Sequence, residues 1–96
     1  MKAPKTFPMG GFTYRVRQTA TLNASCGLIG AHEARRRLIQ IDKLQSKESK
    51  NECLWHELLH AINNVYCNNT LDERDVDGVA NGLYQFMKSI GVEFEF

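Results

Sequence analysis

His56, Glu57 and His60 stand in the order His-Glu-x-x-His inside the stretch CLWHELLHAI. On a helix, residues four apart share a face about one turn apart, close enough for two imidazoles to hold one ion. Zinc favours nitrogen and sulfur ligands in a tetrahedron, and a catalytic zinc keeps one position for water. A glutamate directly after the first histidine is rotated just off the metal axis. There it can take a proton from metal-activated water and hand it to a leaving group. The pattern is short enough to arise by accident, so its placement matters. Wound as a helix, Trp55, Leu58, Leu59, Ile62, Val65 and Tyr66 make an apolar arc on the side away from both histidines. The arc is expected to face the core and the histidine pair to lie off it.

A third ligand is needed, and the next helical stretch offers two acids four apart, Glu73 and Asp77. If that stretch folds back antiparallel, Asp77 comes near the level of His60. Glu73 then sits about one turn closer to the connection, with a longer side chain. Either can be the ligand, and the other can hold an imidazole from behind. Glu73 also suits the first turn of a helix on dipole grounds alone. Tyr84 lies on the same stripe, as an oxyanion donor or as ordinary packing. Cys53 and His56 could enter a closed structural zinc site, but Cys53 and Cys67 are about 21 Å apart along a straight helix and cannot share one ion. His32 has no second histidine near it in sequence and reads as a surface residue.

The elements that must position these groups fall into two halves. Residues 1–50 carry ten Lys/Arg against three Asp/Glu, and residues 51–96 carry two against eight. The halves are expected to attract each other or to form solvated faces. A weaker expectation is nucleic-acid association through Arg15, Arg17 and Arg35 to Arg37. The first half reads as strands. GGFTYRVR alternates, with Phe12, Tyr14 and Val16 on one face; GLIGA is a second candidate; RRRLIQID is a third, with Arg37, Ile39 and Ile41 on one face. Short links make the sheet antiparallel in expectation. A helix over AHEARR, residues 31–36, competes with this reading. TATLNASCG ends in turn chemistry.

From Ser46 the period becomes helical. Ser46 or Ser49 is the N-cap and Glu52 lies in an early turn. Asn68 and Asn69 end the helix. Thr70 caps the next one, with Asp72 and Glu73 in its first turn. Val76, Val79, Leu83, Phe86, Met87 and Ile90 share a face, and Gly91 closes the helix. VEFEF is expected to add an edge strand.

With 96 residues, the chain is expected to form one domain, residues 1–96, with a thin core that a metal would help to hold. MKAPKTFPMGGF has no apolar stretch of the kind that opens a secretory signal, and no segment reads as membrane-spanning. Cys26, Cys53 and Cys67 cannot all pair with one another and are expected to be free thiols in a reducing compartment, the cytoplasm.

CLWHELLHAI followed by LDERDVDGVANGLYQFMK resembles small phage and prophage proteins that carry a HELLHAI-type helix and an acidic return helix. These are similar to minimal relatives of the ImmA/IrrE metallopeptidases in the zincin superfamily. The resemblance runs from Cys53 to Lys88 and extends loosely to the RRLIQID strand. It implies that His56 and His60 are metal ligands and Glu57 the catalytic base. It also implies that the acid four residues before the Asn of Ala80-Asn81, here Asp77, is the third ligand. The usual residue there is Glu. Larger relatives add recognition domains that these 96 residues do not include.

The expected fold is α+β, a minimal zincin-like domain: a three-stranded sheet, an active-site helix and an antiparallel acidic return helix. The expected function is zinc-dependent hydrolysis of peptide bonds in a peptide or protein substrate. If a phage encodes the protein, the compartment is the host's cytoplasm. The competing expectation is a metal-stabilised binding module, attached to a phage or host partner, with little turnover.

Overall fold

Gly10 and Gly11 both lie at positive φ, 62° and 80°. Two such residues make the tight turn whose twist matches a β-hairpin. They join strand β1 (Thr6–Met9) to strand β2 (Phe12–Thr19), paired antiparallel with Met9 opposite Phe12. Pro8 has no N–H to donate, which an edge strand tolerates. The computed structural model describes residues 1–22 and 29–96; Cys26 and the Gly27-Leu28 part of the GLIGA segment lie outside the described residues.

Strands β3 (Gly30–Glu33) and β4 (Leu38–Asp42) form a second antiparallel hairpin. The four-stranded sheet has the order β1-β2-β4-β3, and β2 and β4 run parallel. The expected three-stranded antiparallel sheet is therefore corrected to a mixed one. The composition of β4 gives the reason. Leu38, Ile39 and Ile41 are completely buried, so β4 takes the centre, and β3, with glycine and histidine, takes the edge. The helix that competed with the strand reading over residues 31–36 does not form; the segment is the end of β3 and a turn closed by Arg37 at φ 49°. The Arg37 guanidinium lies 3.6 Å above the centre of the Phe12 ring, and Phe12 is largely exposed rather than in the core.

Helix α1 (Lys47–Tyr66) begins at Ser46, whose Oγ accepts from the Ser49 N–H at 3.2 Å. Helix α2 (Glu73–Ser89) begins at Asp72, which accepts from the Asp75 N–H at 2.8 Å. Asp72, not Thr70, is thus the cap; the Thr70 hydroxyl donates to the Cys67 carbonyl instead. Asn68 and Asn69 take positive φ as expected of residues that end a helix, and Gly91 at φ 83° follows α2. The fold is α+β, a four-stranded mixed sheet with two helices.

Helix α1 is buried on two sides. Cys53 and Leu54 pack with Ile39 and Ile41 of the sheet, and Leu59 packs with Val76 and Ala80 of α2. The expected apolar arc is only partly core: Trp55, Leu58, Ile62 and Val65 are half-buried and Tyr66 is exposed. On α2, Val79 and Phe86 are exposed, as is Ile90 at its C-cap. The C-terminal segment adds no strand beyond one bridge of Glu95 to Lys2. It is held by Asn51, whose amide donates to the Phe94 carbonyl at 2.9 Å and accepts from the Phe94 N–H at 2.6 Å. Among the described residues no helix is long and apolar enough to cross a membrane.

Candidate metal centre

The site depends on the register of the two helices. Asn63 is buried near the end of α1. Its side chain donates to the Leu71 carbonyl at 3.0 Å and accepts from the Leu71 N–H at 3.1 Å. This two-pronged clamp folds the connection back along the last turns of α1. Glu73 therefore starts α2 beside His60, and Asp77 reaches His56. The expected register, with Asp77 level with His60, is off by about one turn.

Three atoms converge. His56 Nε2 lies 3.1 Å from His60 Nε2, and Glu73 Oε1 lies 3.4 Å from each of them. Asp77 Oδ1 approaches His56 from behind, 3.1 Å from Nδ1. The rings of His56 and His60 stand edge to face with centres 4.8 Å apart. Ligands about 2.1 Å from an ion at tetrahedral angles are separated by about 3.4 Å. The triangle has those edges to within a few tenths of an ångström, and two imidazoles with a carboxylate suit a first-row transition ion. The groups His56-Glu57-His60 and His56-Glu73-Asp77 are each able to hold a metal ion.

Glu57 has a carboxylate oxygen within 4.8 Å of a ring nitrogen of both histidines, and it also borders the sheet at Gly30. It is 6% exposed, and its carboxylate lines a cleft of about 370 Å³ between α1, the start of β3 and Asn81 of α2. Burial pushes its pKa above the usual carboxylate range, which the two histidines partly counter. Gly30 makes this arrangement possible. A side chain there would run into Cys53 Sγ and come within 3.3 Å of Glu57 Cγ.

Cys53 and Cys67 are free thiols. Burial, reinforced by the Glu57 carboxylate, pushes the Cys53 thiol up to about 12, and its Sγ lies 3.3 Å from the Ile29 carbonyl oxygen. Neither thiol belongs to a metal-capable group among the described residues, so the structural site through Cys53 is not formed. Tyr84 lies near Lys88, whose Nζ is 5.9 Å from its ring centre.

His32 is a correction: it is half-buried, not a surface residue. Its Nε2 is hydrogen-bonded to the hydroxyl of fully buried Tyr14 at 3.1 Å, with the rings stacked 5.8 Å apart. Burial, and then the nearby His60, holds its pKa below the ordinary histidine value. The signal was the alternation of β3, which puts His32 on the same face as Gly30. Asn63 had no comparable signal, because an asparagine in a helix interior reads only as a poor helix former. Of the five arginines considered for nucleic acid, Arg36 is paired with Glu33 at 3.1 Å and Arg37 is engaged by Phe12. Comparison with protein-family models, curated proteins and solved structures finds no match to this chain.

Proposed function

We propose that the protein is a minimal zincin-type metallopeptidase, akin to the ImmA/IrrE group, with zinc held by His56, His60 and Glu73. The observation that carries this reading is the triangle of two Nε2 atoms and one carboxylate oxygen with edges of 3.1, 3.4 and 3.4 Å. Glu73, rather than Asp77, supplies the third ligand in this reading. Asp77 accepts the Nδ1 proton of His56, which leaves the Nε2 lone pair free to bind the metal. A zinc ion in this place supplies Lewis acidity toward a carbonyl oxygen and makes water more acidic.

The remaining work belongs to the chain. Glu57, buried beside His56 and raised in pKa, takes the proton from attacking water and returns it to the leaving amine. Strand β3 is the sheet edge that opens on the cleft, so an extended peptide can align there by strand addition. Gly30 keeps the path clear. The free thiols Cys53 and Cys67 fit a reducing compartment, the cytoplasm.

One observation favours a second reading, a metal-stabilised binding module. Glu73 and Asp77 are 64% and 49% exposed, so the centre sits at the surface rather than at the bottom of a closed site. Glu57→Gln separates the two readings, because it keeps size and removes the base. A peptidase loses cleavage of a peptide library by several orders of magnitude while metal content and melting stay as they were. A binding module shows no cleavage in either form. Cleavage by Glu57→Gln at the wild-type rate would rule out the mechanism.

A further inference from the structure

We propose that the cleft beside Glu57 is a subsite for a cationic side chain, lysine or arginine, of an extended peptide, with Glu52 as its anchor. The inference rests on the peptidase reading of the site and names its substrate class. Glu52 stands four residues before His56 and lines the same cleft, about one helical turn from the metal centre. The subsite is therefore next to the reacting bond, not remote from it.

The lining chemistry is one-sided. Glu52 and Glu57 bring carboxylates, and no lysine or arginine lines the cleft among the described residues. Glu48, one turn before Glu52, is engaged by Lys88 at 3.4 Å. Among the described residues Glu52 has no such cationic partner. The ion's own charge must be counted as well. A divalent metal would bring two positive charges, which the carboxylates of Glu73 and Asp77 beside His56 would offset. Glu57 and Glu52 remain, and the cleft is left negative.

Its shape fits a long stem with a charged head. Ile29 and Cys53 offer apolar surface, Gly30 offers none that obstructs, and Ser49 and Asn81 offer polar groups at the walls. A lysine or arginine can lay its methylenes along Cys53 and Ile29 and bring its head to Glu52. An acidic side chain in the same place would meet two carboxylates.

The test uses zinc-loaded protein and an acetylated, amidated peptide library in which one position is lysine or its uncharged isostere norleucine. Two quantities are read: the kcat/KM ratio of lysine to norleucine peptides in the wild type, and the ratio of their Kd values in Glu57→Gln, which binds without turnover. Both are expected to favour lysine, by about threefold in the wild type and by less in Glu57→Gln, which lacks one of the two carboxylates; Glu52 is exposed, and an exposed ion pair is weak. In Glu52→Gln the ratio falls to about one, and in Glu52→Lys it inverts. Cleavage with no lysine preference, or a preference that survives Glu52→Gln, overturns the subsite and leaves the peptidase standing. A Glu52-dependent lysine preference in binding without any cleavage does the reverse. Neither binding nor cleavage overturns both.

Discussion

An imidazole presents one nitrogen to a metal in a fixed direction only when its other nitrogen is held. His56 meets this condition through Asp77, 3.1 Å from Nδ1, while its Nε2 faces His60 and Glu73. In the proposed centre the two acids of α2 have separate tasks, and their removal should differ in degree. Glu73→Ala takes away a ligand and should cost most of the metal affinity, as His56→Ala and His60→Ala should. Asp77→Ala leaves three ligands and only loosens one of them, for which a 10- to 100-fold loss is the usual size. Titration against a chelating dye measures all four variants on one scale. If Asp77→Ala abolishes binding and Glu73→Ala only weakens it, the assignment is reversed and Asp77 is the ligand. Both acids were visible in the sequence as a pair four apart. Their division of labour was not, because it turns on a one-turn difference in helix register.

That register is set at the level of elements, by the Asn63 clamp on Leu71. Asn63→Leu would remove both hydrogen bonds and leave the Leu71 N–H and carbonyl without their partner. Losing a half-buried pair of this kind costs about 1 kcal/mol or somewhat more. The metal affinity should fall too, although Asn63 touches no ligand, because Glu73 would no longer be held at the level of His60. A variant that loses stability but binds metal as tightly as the wild type would show that the register is held by helix packing alone. The helices and one of their caps were readable because period, Ser46 and the Asn68-Asn69 stop are local signals. The clamp joins residues eight apart across a folded-back loop, and no local pattern announces it. The sheet was misread for a related reason. Its two hairpins are local, but the parallel pairing of β2 with β4 joins residues more than twenty apart, such as Arg15 with Leu38. Strand β1 was missed although Gly10-Gly11 signals a tight hairpin, since four residues containing Pro8 carry little alternation of their own.

Across the whole molecule, α2 is attached chiefly through its packing on α1. The buried residues that hold it are the small cluster Leu59, Val76 and Ala80, with Leu71 and Leu83 beside it, while Val79, Phe86 and Ile90 face outward. The ion pairs joining the two halves, Lys47 with Glu93 at 3.8 Å and Lys88 with Glu48 at 3.4 Å, are exposed and contribute little. A metal held by His56, His60 and Glu73 would fasten α2 to α1 directly. Binding to the folded form alone stabilises by about 4 kcal/mol when free metal is about 1,000 times Kd. In a chain of 96 residues each kcal/mol moves Tm by several degrees, so chelation should lower Tm by more than about 10 °C. The loss should also be uneven. Hydrogen exchange in the metal-free protein should quicken first along residues 73–89, where the fastening is gone, and later in β4, whose Leu38, Ile39 and Ile41 are fully buried whether or not metal is present. Equal Tm values with and without chelator would mean that the centre does not hold the helices together. A uniform rise in exchange through sheet and helix alike would mean that α2 opens only when the whole chain unfolds.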